Sequence, residues 1–173
     1  MAEAILQVEN LKTQFYTRRG VAKAVDGVSF EVRRGEILGL VGESGCGKSV
    51  TCLSLLRLIP RAVGKVVEGQ VLFEGEDLMA LSEREMREVR GKKISMILQD
   101  PMTSLNPVFT IGDQVSEPIR FHQQLDRRRI REGVLSMLRR VKIPSPEMRV
   151  GAYPHQFSGG MRQRVVIAMA LAC

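Results

Sequence analysis

The 173-residue sequence predicts an α/β fold: a core of parallel strands around a phosphate-binding loop, a small antiparallel sheet ahead of it and a helical stretch after it. Three observations point there. A glycine-rich stretch, Gly42 to Ser49 (GESGCGKS), lies between an apolar run, Ile37 to Val41, and a helix-like run, Val50 to Leu56. Lys93 to Leu98 (KISMIL) is almost continuously apolar, as a strand buried on both faces of a parallel sheet would be. From Asp100 onward, strand-like alternation gives way to helical periodicity.

In chain order, Ile5 to Glu9 and Leu11 to Tyr16 alternate weakly and are expected to be strands, followed by a turn at Arg18-Arg19-Gly20. Val25 to Val32 is a third strand ending at the turn Arg33-Arg34-Gly35. The helix after the loop is expected from Lys48 to Ile59, stopping at Pro60. Gln70 to Phe73 is a short strand closed by Glu74-Gly75. Ser82-Glu83-Arg84-Glu85 is a capping box that opens a helix to about Arg90. Asp100 to Pro107 is loop. In the second helix beyond it, Ile130, Val134, Leu138 and Val141 share one face. Arg127, Arg128 and Arg131 lie elsewhere on it, as a solvated face or, less simply, a nucleic-acid patch. A last apolar helix runs from Val165 to Cys173. The division expected is residues 1–99 for the β-subdomain and loop core, 100–157 for the helical subdomain and 158–173 for the final helix.

Composition sets limits. Apolar content of 44% and charged content of 26% are those of a soluble globular chain. The net charge of +7 raises the question of an anionic partner. The basic residues are scattered, Trp is absent and aromatics are 5%, so no nucleic-acid partner is expected. Cys46, Cys52 and Cys173 lack metal-ligand spacing, and a thiol inside the glycine-rich loop favours a reducing compartment. The N-terminus has no signal-peptide pattern. No apolar run approaches the ~20 residues of a membrane span.

The loop fits the pattern Gly, four free positions, Gly-Lys-Ser. Those fixed positions coincide by accident in under about 1% of chains this size, so a chance glycine-rich turn is set aside. Gly42, Gly45 and Gly47 permit backbone angles that turn successive N–H groups toward a phosphate. The following helix directs its positive end to the same place. Lys48 adds a full charge beside the β- and γ-phosphates, and the Ser49 hydroxyl is suited to Mg²⁺. Ser44, Cys46 and Val50 complete the candidate loop contacts. A rival reading makes Met96 to Asp100 the strand whose Asp supports Mg²⁺.

Phe157 to Arg164 reads FSGGMRQR. Ser is a common N-cap and Gly-Gly a common turn, yet Ser158, Gly159 and Gly160 also bare several N–H groups at a helix start, a second anion site. This pairing resembles the ATP-binding subunits of ABC transporters. SMILQDPMTSLNP (Ser95 to Pro107) together with YPHQFSGGMRQR looks like the oligopeptide/dipeptide importer branch, whose members handle peptides, nickel or glutathione.

The resemblance implies ATP and Mg²⁺ as ligands. It makes Lys48 and Gln99 catalytic candidates, Ser49 and Gln99 the Mg²⁺ ligands, and Phe15 (or Tyr16) the ring that stacks on adenine. Ser158, Gly159 and Gly160 would cap the γ-phosphate held by a second subunit in a head-to-tail dimer. Gln99 and the helical region would meet membrane-spanning permease subunits, with a solute-binding protein acting indirectly, at the cytoplasmic face of the inner membrane. Two positions depart from the pattern. Met161 replaces a Gln, and Val50 replaces a frequent Thr, which leaves an α-phosphate hydroxyl contact to Thr51 or to none. No apolar run ending in Asp-Glu and no switch His follows the final helix. The expectation is a truncated subunit that binds ATP and hydrolyses it poorly, with the helix Val165 to Cys173 short of cover. The alternative is a soluble ABC-type or other P-loop ATPase acting on nucleic acid or ribosomes.

Overall fold

The structure, a computed structural model, describes residues 3–100 and 104–173. Residues 101–103 of the expected Asp100–Pro107 loop lie outside the described residues. The chain divides into two compact units, Met1–Met86 and Arg87–Cys173, so the Lys93–Leu98 segment falls in the second.

The first unit is a four-stranded antiparallel sheet with one helix. β1 (Ala4–Thr17) and β2 (Gly20–Arg33) form a hairpin; β3 (Gly64–Phe73) pairs with the other edge of β1, and β4 (Glu76–Asp77) with β3, giving the order β2-β1-β3-β4. The two strands expected before Arg18 are one strand. The break at Asn10 is a bulge, with Asn10 at φ 46 and register shifts on both sides of β1. Gly69 of β3 accommodates it: at φ 109, an added Cβ would lie 2.6 Å from the Leu11 Cα. Such close backbone approach admits only glycine. Val8, Leu11, Val25, Val71 and Leu78 bury the inner face.

Helix α1 (Lys48–Leu55) ends earlier than expected. Arg57 takes φ 52, its N–H donates to the Ser54 carbonyl, and the Leu58 N–H donates to that of Leu53. This is a Schellman stop made by a non-glycine residue, so the sequence carries no glycine to announce it. The capping box of α2 (Glu83–Val89) forms as expected: Ser82 N–H donates to Glu85 Oε2 at 2.8 Å, and Glu85 N–H to Ser82 Oγ at 3.3 Å. Those bonds from Ser82 hold the Glu85 carboxyl below its usual range.

The parallel strands require a correction. Ile37–Val41 and Lys93–Leu98 form no ladder among the described residues, apart from a single bridge between Arg90 and Ile94. Ile37 is 98% and Val41 93% exposed. A strand exists only by pairing, and neither run has a neighbouring strand within its unit.

The second unit is helical: α3 (Ile111–His122), α4 (Arg127–Arg140), the short α5 (Pro146–Arg149) and α6 (Gly159–Ala170). Thr110 caps α3 by accepting from the Asp113 N–H, and Asp126 caps α4 by accepting from that of Arg129. Ile111, Val115, Ile119, Val134, Leu138 and Val165 form its core, with Ile130 and Val141 half-buried beside them. Val165, Val166, Ala168 and Ala172 are buried, so the final helix is covered, against expectation; α3 and α4 supply the apolar face it packs on.

Alanine at Gly69 is expected to cost about 2 kcal/mol or more, since backbone must move. At Gly75 (φ 82, with nothing within 4 Å of an added Cβ) the cost should be about 1 kcal/mol, strain alone. Urea titration of both variants checks the difference; equal costs would contradict the bulge packing.

Candidate functional site: a phosphate loop and a second helix N-terminus

The Gly42–Ser49 loop leads directly into α1. Gly47, the N-cap, takes φ 98, and an added Cβ would lie 2.3 Å from the Ala24 carbonyl oxygen of β2. The loop backbone is therefore pressed onto the hairpin at a point where no side chain fits. Gly45, at φ 83, faces open space, whereas a Cβ on Gly42 would lie 2.6 Å from Cys46 Sγ. A glycine cap brings no side-chain acceptor, and the first turn of α1 has no acidic residue. Its unpaired N–H groups are left for an anion.

Lys48 is half-buried, and its ammonium donates to the carbonyls of Gly42 and Glu43, both at 2.6 Å, and contacts Cys46 Sγ at 3.4 Å. The charge is thus held over the loop by groups that a phosphate oxygen can replace. Ser44 and Ser49 are exposed, and Val50 is half-buried. Thr51 is the exception. It is 3% exposed and its hydroxyl donates to the Gly47 carbonyl at 3.0 Å, so it is committed to the helix rather than turned toward a ligand. With Val50 in the preceding position, the chain presents no free hydroxyl there.

Phe15 is half-buried on β1, opposite Ala22 and Gly64. A Cβ at Gly64 would meet its ring at 2.8 Å, so the ring lies against bare backbone. Tyr16 is 46% exposed, with the Lys65 ammonium 5.9 Å from its ring centre. A buried hydroxyl pair, Thr13 with Ser54 at 2.7 Å, ties β1 to α1. Sequence reasoning missed this pair and the Ala24 carbonyl, and neither has a motif to find it by.

Gln99 and Ser158–Gly160 belong to the second unit. Gln99 is exposed at a bend. Ser158 caps α6, accepting from the Met161 N–H at 3.3 Å, and added Cβ atoms on Gly159 and Gly160 would meet nothing within 4 Å. Packing within this chain therefore does not require glycine at either place. Arg164 donates to the Lys142 carbonyl at 3.0 Å and anchors the start of α6 to the end of α4. Buried Gln114, also missed, pins the loop before α3: its amide donates to the carbonyls of Asn106 and Phe109, and its oxygen accepts from the Asn106 N–H. Only a helical position on a mostly apolar face marked it beforehand.

A lysine-bearing glycine loop on an antiparallel hairpin, with a helical unit carrying a Ser-Gly-Gly cap, defines an ATP-binding cassette. Residues 25–173 match the ABC transporter family, and the chain belongs to it. It is 54% identical over 171 residues to the dipeptide transport ATP-binding protein DppD of Bacillus subtilis, covering 99% of this chain and 51% of that protein. To the oligopeptide transport ATP-binding protein OppD of the same organism it is 51% identical over 168 residues, covering 97% and 47%. The chain spans about half the length of these relatives. Among solved structures it is similar to the dimeric, post-hydrolysis ATP-binding cassette MJ0796 bound to ADP and Pi. The TM-score is 0.83 at 26% identity, over 96% of this chain and 69% of that one.

Alanine at Gly47 is expected to weaken nucleotide binding at least about tenfold, because the Cβ must displace loop or hairpin backbone. Alanine at Gly159, which meets nothing within 4 Å, should leave binding by the isolated chain unchanged. Fluorescent-nucleotide titration of the two variants separates the cases; equal losses would contradict this geometry.

Proposed function

We propose that this chain is the ATP-binding part of a subunit that energises peptide import. The observation that carries the reading is the loop itself: positive φ at Gly45 and Gly47, a helix start with no side-chain cap, and a lysine ammonium held over the loop. These are the parts from which phosphoryl binding is built. Lys48 and the loop amides would hold the phosphates, and Phe15 would stack on the base. The exposed Ser49 hydroxyl at the start of α1 suits a hard cation and would be a ligand of Mg²⁺. Bound there, Mg²⁺ would neutralise charge between the β- and γ-phosphates.

The open space over Gly159 and Gly160 supports a partner's phosphate as the group that fills it. The unit would thus act in a head-to-tail pair, with Gln99 and the helical unit meeting a membrane-spanning permease fed by a solute-binding protein. Among the described residues no helix is long and apolar enough to cross a membrane. The relatives' names as transport ATP-binding proteins support a peripheral place on the cytoplasmic face of the inner membrane. The relatives named for dipeptide and oligopeptide transport support peptides as cargo.

Lys48→Ala should raise the ATP dissociation constant at least about tenfold, the loss of one charge-assisted contact, while circular dichroism stays unchanged. Equal binding by the parent chain and the variant would overturn the proposal.

A further inference from the structure

Neighbouring arginines of α4 differ in their partners. Arg128 pairs with Glu132 at 2.9 Å and Arg129 with Asp126 at 3.8 Å. Arg127 and Arg131, on the same helix α4, line a groove of about 260 Å³ between α3 and α4, and Arg120 of α3 lines it with them. All three are exposed, and among the described residues none makes an ion pair or a side-chain hydrogen bond within the chain. Arg128 and Arg129 are thus each paired with a carboxylate, whereas the three arginines that line the groove are not.

Nothing in the fold itself favours this placement. Arg127 and Arg131 are four residues apart on one helix, where like charges repel. They also stand in its first turns, where the helix dipole disfavours cations. One anion is present: Asp113 also lines the groove, its carboxylate accepting from the Thr110 hydroxyl at 2.6 Å, so the lining holds one carboxylate and three guanidinium groups. The Ser116 hydroxyl, another lining group, donates to the Asp113 carbonyl and keeps its lone pairs.

We propose that this groove binds a small phosphate-bearing anion, a pyrophosphate or phosphomonoester group, between Arg120, Arg127 and Arg131. Planar guanidinium forks match phosphate oxygens in pairs, so three of them suit one or two phosphoryl groups. The volume is below the roughly 300 Å³ at which pockets begin to take drug-sized molecules, which favours the phosphate part over a whole nucleotide. Two sources present that chemistry: a soluble phosphate compound and the headgroup of an anionic lipid.

The test uses the 173-residue chain carrying Lys48→Ala, so that the loop does not compete. Calorimetric titration with pyrophosphate at low salt is run on this chain, on its Arg127→Ala/Arg131→Ala derivative and on its Arg128→Ala/Arg129→Ala derivative, which removes the same charge outside the groove. Flotation with phosphatidic acid vesicles against phosphatidylcholine vesicles is run in parallel. The groove pair should weaken pyrophosphate binding about tenfold or more, one or two charge-assisted contacts, and the outer pair less than about twofold. Selective loss of vesicle binding in the groove pair, without pyrophosphate binding, would support the site with a lipid headgroup as its source. Equal effects of the two pairs, or no binding of either probe, would overturn it. Matching thermal melts of the two derivatives guard against unfolding.

Discussion

The contact on which the site depends is backbone against backbone: Gly47 of the loop pressed on the Ala24 carbonyl of β2. It sets where α1 begins and therefore where its unpaired N–H groups point. The hairpin is held from its other side by the bulge at Asn10 against Gly69, and to α1 by the buried Thr13–Ser54 hydroxyl pair. The phosphate loop is thus a consequence of a rigid antiparallel sheet. Lys48 adds the last part, an ammonium bridging the carbonyls of Gly42 and Glu43 across the turn. Carbonyl oxygens are weaker partners for an ammonium than ionised phosphate, so the arrangement is poised for exchange.

The glycines differ in kind. Gly47 is demanded by the backbone that already surrounds it and Gly45 by its φ of 83, whereas Gly159 and Gly160 face open space. The first kind builds the cradle. The second leaves surfaces clear, as the proposed site shared between two subunits requires.

Much of this was readable beforehand, because the strongest signals are local. The loop, the Ser82 capping box and the Ser158 cap are each written within a few residues and form as read. The antiparallel hairpin and the apolar face of α4 were equally plain. What failed depends on distant partners. Ile37–Val41 has the composition of a buried strand yet stays 98% exposed at Ile37, since composition cannot supply a neighbouring strand. Helix α1 stops at a left-handed arginine that no propensity marks. Thr51 was a ligand candidate by position alone, until its hydroxyl turned inward to Gly47. The pairing of charges around α4 likewise exists only in three dimensions.

The central claim, that Gly42 to Ser49 seats a nucleotide phosphate, is tested most directly by following backbone amide resonances while Mg-ATP is added. Saturable shifts at Gly45, Gly47, Lys48 and Ser49, larger than those anywhere in α3 or α4, are the expected result. Amides of the loop that stay in place at saturating ATP would contradict it.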